Sequence, residues 1–141
     1  MNLENVHQAI FDAWNARDFD GMRAMLHPDY TYTGPDGREQ PGAEVAIAVA
    51  QMFASAFPDA TVEVGRVYTS GYTVIAEVTG QGTHGGEFLG IAPTGKNVTI
   101  HICNVMEMRD GKIHREREYF DMAGILAQIG VNQIPAHGAA A

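Results

Sequence analysis

The sequence predicts an α+β domain: a curved antiparallel sheet packed with N-terminal helices around a central pocket. Three observations carry this expectation. Apolar residues recur at helical spacing over most of the first 57 residues, then alternate from residue 60 onward. The alternating segments are consecutive and joined by tight turns, the order expected when helices cover one face of an antiparallel sheet. Those segments run to about ten residues or more, above the usual ~5–6, and long strands twist and curl.

The elements follow in order. Residues 3–17 form the first helix, with Leu3, Val6, Ile10, Ala13 and Trp14 on one stripe. Asn2 caps it, and Glu4 suits the positive end of its dipole. A short helix over 19–26 stops at "HPD", because the residue before a proline avoids helical geometry. "YTYT" at 30–33 is a short strand, and "GPDGREQPG" reads as turn throughout. The third helix spans 43–57, with Val45, Val49, Met52, Phe53 and Ala56 on its stripe, and Pro58 marks its exit. Strands follow at 60–70, 73–84, 97–109 and 112–121. "RDGK" is a strong hairpin signal between the last two. A final helix over 122–129 ends at Gly130, a suitable C-cap, and residues 132–141 are expected to be a frayed tail. Residues 1–131 therefore read as one domain.

Composition narrows the function classes. Hydrophobic residues make up 45% and charged residues 18% of the 141, an ordinary globular balance. A net charge of −8 argues against a nucleic-acid backbone or an anionic membrane surface as the main partner. No apolar run approaches the roughly 20 residues that span a bilayer, and the first residues carry no signal-peptide pattern, so a cytoplasmic location is expected. Cys103 is the single cysteine, which excludes an internal disulfide; mid-strand in an apolar run, it is expected to be a buried, inert thiol. No P-loop, dinucleotide fingerprint or nucleophile elbow is present.

The chemistry-bearing residues lie late in the chain. His84, in "GTHGG", shares parity with Val74, Ala76 and Val78. It is either a histidine satisfied by backbone or a donor that holds substrate or water. The glycines around it point to a bulge or a close backbone approach. His101 lies on a strand whose two faces are both half apolar, so either face could line the pocket while the other meets a partner subunit. Arg115, Arg117, Tyr119 and Asp121 share one parity; His114, Glu116, Glu118 and Phe120 share the other. The bland reading of the charges is a solvated cross-strand ladder. The sharper one sends Arg117 into the pocket, against Asp121 or an anionic substrate. Trp14, Tyr30, Tyr32, Phe53 and Phe88 read as core or pocket wall.

Three blocks, "PGAEVAIAVAQMFASAFPDATVEV", "GTHGGEFLGIAPTGK" and "RDGKIHREREYFDMAGILAQIG", resemble the SnoaL-like polyketide cyclase family of the NTF2-like superfamily. The resemblance covers about residues 3–131. It implies the NTF2-like cone, a homodimer, a small organic substrate and no metal or organic cofactor. It implies Asp121 as the acid/base of an intramolecular aldol ring closure; His84 and His101, singled out by their strand positions, are the candidate catalytic partners. Trp14, Tyr30, Tyr32, Phe53, Phe88, Arg117 and Tyr119 would contact substrate. Relatives often carry a glutamate and an aromatic residue where this chain has Arg115 and Arg117, which implies a more polar or anionic ligand. Two other readings use the same fold. An epoxide or lactone hydrolase would use a carboxylate and a histidine to orient a water, and Asp, His and Arg contacts to that water would favour it. A non-catalytic binder would leave Asp121 with cap bonds only and no titratable residue on the cavity wall.

Overall fold

A computed structural model describes residues 2–131. The expected tail lies outside the described residues. Helices α1 (Leu3–Asn15), α2 (Phe19–Ala24) and α3 (Ala43–Ala56) pack on a six-stranded sheet, and α4 (Met122–Gln128) closes the chain. The strands are β1 (Leu26–Thr33), β2 (Glu39–Pro41), β3 (Thr61–Ser70), β4 (Thr73–Thr83), β5 (Asn97–Arg109) and β6 (Lys112–Tyr119), in the order β2-β1-β6-β5-β4-β3.

Local chemistry accounts for most of these boundaries. Asn2 accepts from the amides of Glu4 and Asn5 and starts α1. Asp18 caps α2 through the Gly21 amide. The turn between β5 and β6 places Asp110 and Gly111 at φ 53° and 75°, the paired positive values that suit a tight hairpin.

Three expectations are corrected. The short helix ends at Ala24, not 26, and Leu26 is already in strand β1. Part of the turn-rich stretch, residues 39–41, pairs with β1 as β2. The sheet is mixed, since β1 runs parallel to β6 while the other neighbours are antiparallel. The reason is connectivity. The hairpin occupies one edge of β6, and the chain leaving α2 reaches the other edge running in the same direction.

One irregularity decides what faces inward. Met108 pairs with Ile113, yet Glu107 pairs with Arg115, so β6 carries one extra residue, His114. Ile113 and Glu116 can therefore both point to the helix side, where each is buried. Two apolar clusters form the core. One joins α1, α3 and the inner sheet face around Ile10, Tyr30, Ile47, Val74 and Met106; the other joins Phe57, Phe88, Val98, Ile125 and Ile129 near α4.

Candidate active site

A cavity of about 120 Å³ lies between the three N-terminal helices and the inner sheet face. Its walls are apolar almost throughout, with Trp14, Val49, Phe53, Ile100, Ile102 and Phe120 among them. α3 contributes Val49 and Phe53 because its expected stripe faces the hollow instead of packing solid. Gly80 and Gly82 place backbone, not side chains, on the sheet wall. An outer pocket of about 400 Å³ shares Tyr32, Val49, Phe53 and Phe120 with the inner one and reaches Arg38 and Gln40.

Two carboxyl groups, Glu116 and Glu118, line this apolar hollow. Tyr30 Oη donates to Glu116 Oε1 at 2.6 Å, and Tyr32 Oη donates to Glu118 Oε1 at 3.0 Å. Asn104 Nδ2 donates to Glu116 Oε2 at 2.9 Å and to Glu118 Oε2 at 3.4 Å. Behind Asn104, His7 Nε2 lies 2.9 Å from Oδ1. His7, Asn104 and Glu116 are all buried. The pairing of Asn104 with Glu118, and of Tyr32 with Glu116, brings the three strands β1, β6 and β5 to this one point.

Burial disfavours the charged carboxylate, and so does a second carboxylate nearby. Glu118 is pushed up to about 8 by desolvation first and by the charge of Glu116 second. Desolvation also raises Glu116, against the opposing hydrogen bonds from Tyr30 and Asn104. Burial and the neighbouring glutamates raise both tyrosine hydroxyls, so they remain donors. Near neutral pH the pair therefore holds a proton, and a single hollow offers both a carboxylic acid and a carboxylate.

The anticipated residues divide. Trp14, Tyr32 and Phe53 line the cavity. Tyr30 lies behind the wall and holds Glu116. Phe88 is fully buried in the second core cluster, against Phe53 and Phe57. Asp121 is exposed; its Oδ1 accepts from the Gly124 amide at 2.9 Å and caps α4. His84 is buried away from the cavity, where its Nδ1 accepts from the Thr94 amide. His101 and Cys103 are exposed on the outer sheet face, which corrects the buried thiol. Arg117 pairs with Glu107 on that face, and Tyr119 is 54% exposed.

The alternation along β6 was legible, but its two faces are the reverse of what charge implied. The usable signal was Phe120, an aromatic residue of the same parity as Glu116 and Glu118 that lines the cavity with them. The arginines have partners outside: Arg115 reaches Glu39 and Glu107. The polar or anionic ligand inferred from them loses its basis, because neither arginine borders the inner cavity.

This late pair of inward carboxyls is what known relatives must be compared with. A family model described as SnoaL-like polyketide cyclase matches residues 4–129. The chain belongs to that family. Aklanonic acid methyl ester cyclase AcmA of Streptomyces galilaeus is 30% identical over 86% of this chain and 85% of its own length. Nogalonic acid methyl ester cyclase of Streptomyces nogalater is 28% identical over 86% of this chain and 92% of its own. Among solved structures, AclR from Streptomyces galilaeus superposes with a TM-score of 0.84 at 26% identity, covering 96% of this chain and 85% of that one. IdmH from Streptomyces antibioticus gives 0.82 at 27%, covering 93% and 100%. A Catenulispora acidiphila protein with a ketosteroid isomerase-like fold matches at 0.75 with 18% identity, which bears on the fold alone. The cone architecture read from the long strands is thus the family fold.

Proposed function

We propose that this protein is a cyclase that closes a ring in a carbonyl-bearing polyketide, with Glu116 and Glu118 as its acid/base pair. The observation that carries the reading is two hydrogen-bonded carboxyls on the wall of an apolar cavity. The methyl ester cyclases among the relatives support the substrate class: an apolar polyketide ester bearing an acidic C–H and an electrophilic carbonyl.

The donor geometry supports a division of labour. Glu116 accepts two short bonds, at 2.6 and 2.9 Å, which favour its ionised form. Glu118 accepts longer ones, at 3.0 and 3.4 Å, and keeps the proton more readily. Glu116 removes the C–H proton of the substrate. The resulting enolate carbon attacks the carbonyl carbon and forms the C–C bond. The carbonyl oxygen takes the proton of Glu118 as its π bond breaks. One proton enters the pair and one leaves, so a transfer from Glu116 to Glu118 restores the starting state. Holding the chain folded in the hollow contributes several kcal/mol by proximity, and the acid/base step adds about 10²–10⁴-fold.

Asp121 does not carry this role, since its described hydrogen bond is the cap and its side chain faces solvent. The hydrolase reading called for a carboxylate and a histidine to orient a water; the inner wall carries carboxyls, but no histidine, aspartate or arginine stands on it among the described residues. The binder reading required Asp121 with cap bonds only, which agrees with its described bond to the Gly124 amide, and a wall without titratable groups, which the two glutamates contradict. The test is cyclisation of an aklanonic-acid-type methyl ester by Glu118→Gln and Asp121→Asn. The first is expected to lose about 10²–10⁴-fold in kcat, and the second to retain turnover. Full turnover by Glu118→Gln would remove the acid role.

A further inference from the structure

The residue behind the pair has no place in the mechanism above, yet it is fully buried and bonded to the group that bridges the two carboxyls. We propose that His7 of α1 is a positioning residue: its Nε2–H grips Asn104 Oδ1 and so holds the amide with its NH₂ turned toward Glu116 and Glu118. The inference rests on reading those glutamates as the working pair.

The direction of the hydrogen bonds carries it. A primary amide can be turned by half a rotation, and only one orientation gives the carboxylates a donor. With NH₂ toward the carboxylates, Oδ1 faces His7, so Nε2 must carry the hydrogen. A neutral imidazole has one N–H, and burial keeps this ring neutral by lowering its pKa, against the raising effects of Asn104 and Glu4. His7 Nδ1 is then a bare lone pair, and it has no hydrogen-bond partner among the described residues. That is consistent with the single N–H being committed to Asn104. The Phe11 ring, 5.0 Å away centroid to centroid, packs beside the imidazole.

β1 presents Tyr30 and Tyr32, β5 presents Asn104, and α1 presents His7 with Glu4 beyond it. Asp36 acts on Tyr32 from the loop after β1. The α3 residues on the cavity wall, among them Ala46, Val49, Ala50 and Phe53, carry no charge. Asn104 is thus the only neutral amide donor to the pair among the described hydrogen bonds, and His7 is the group that holds its oxygen.

The experiment uses the full chain with ¹³C-carboxyl-labelled glutamate and needs no substrate. In His7→Phe the amide is no longer held, its donation weakens, and the apparent pKa values of Glu116 and Glu118 rise by about 0.5–1 unit. His7→Gln restores an N–H at the position of Nε2 and leaves them within error of the unaltered protein. Unchanged values in His7→Phe, or an equal rise in both variants, would overturn the proposal. If His7→Phe does not fold, ¹⁵N NMR of the unaltered protein decides: the Nε2–H tautomer is expected from pH 6 to 8, and an Nδ1–H tautomer refutes it. Because these readouts are titrations, full turnover by Glu118→Gln would remove the acid role of Glu118 and leave the role of His7 in holding the amide standing.

Discussion

Glu118 shows how one side chain ties stability to activity. Its carboxyl is held well above the ordinary range, at about 8, by desolvation and by Glu116. A folded-state pKa raised above the unfolded value means the native protein binds more protons. The associated stability is complete below about pH 4.5, the unfolded value, and is lost as pH rises through about 8. Glu118→Gln keeps the shape and removes the charge. We expect it to raise Tm at pH 8–9, an effect on the order of 1–3 kcal/mol, and to match the unaltered protein near pH 5. Thermal melts across this pH range measure both. Asp121 behaves in the opposite way. Asp121→Ala should cost about 1 kcal/mol through its lost cap, measured by urea unfolding, while kcat stays within about twofold. The parity of these residues could be read from the chain; which face was wet could not. Alternating Glu and Arg look the same on a solvated ladder as on a strand with a hidden acidic side.

At the scale of elements, the glycines around His84 serve a close approach. The Gly85 and Gly86 amides both donate to Ala56 O at the end of α3. A Cβ on Gly86 would stand 2.1 Å from Ser55 O, a backbone atom that cannot swing aside. Gly86→Ala is therefore expected to destabilise the fold by ~2–3 kcal/mol, readable as a lower denaturation midpoint with an unchanged m-value. The glycine cluster in "GTHGG" signalled such an approach, but its partner, α3, is almost thirty positions away. The bulge in β6 was invisible for a related reason. It exists because the pairing of Glu107 with Arg115 and of Met108 with Ile113 differ by one residue, and register is a property of two strands.

At the scale of the whole molecule, the helices cover one face of the sheet and leave the other open. That open face carries Tyr68 and Tyr119, each 54% exposed, together with His101 and Cys103. We expect this face to be covered by a second copy of the chain, as the resemblance implied, and light scattering at micromolar concentration to give twice the 15.2 kDa chain mass. A monomer would leave the half-apolar outer face without a partner. None of the described helices is long and apolar enough to cross a membrane.

The amino-acid order by itself determined the helix stripes, the hairpin at "RDGK", the long curling strands and the family. Each depends on spacing along the chain, which period and turn chemistry report directly. The tertiary structure alone decided that β1 joins β6 in parallel, that Asp121 faces water, and that Glu116 and Glu118 face the hollow. The physical reason is that burial, and hence carboxylate basicity, is set by neighbours distant in sequence. Tyr30, Tyr32 and Asn104 reach the glutamates, and His7 reaches Asn104, only once α1, β1 and β5 have assembled around them.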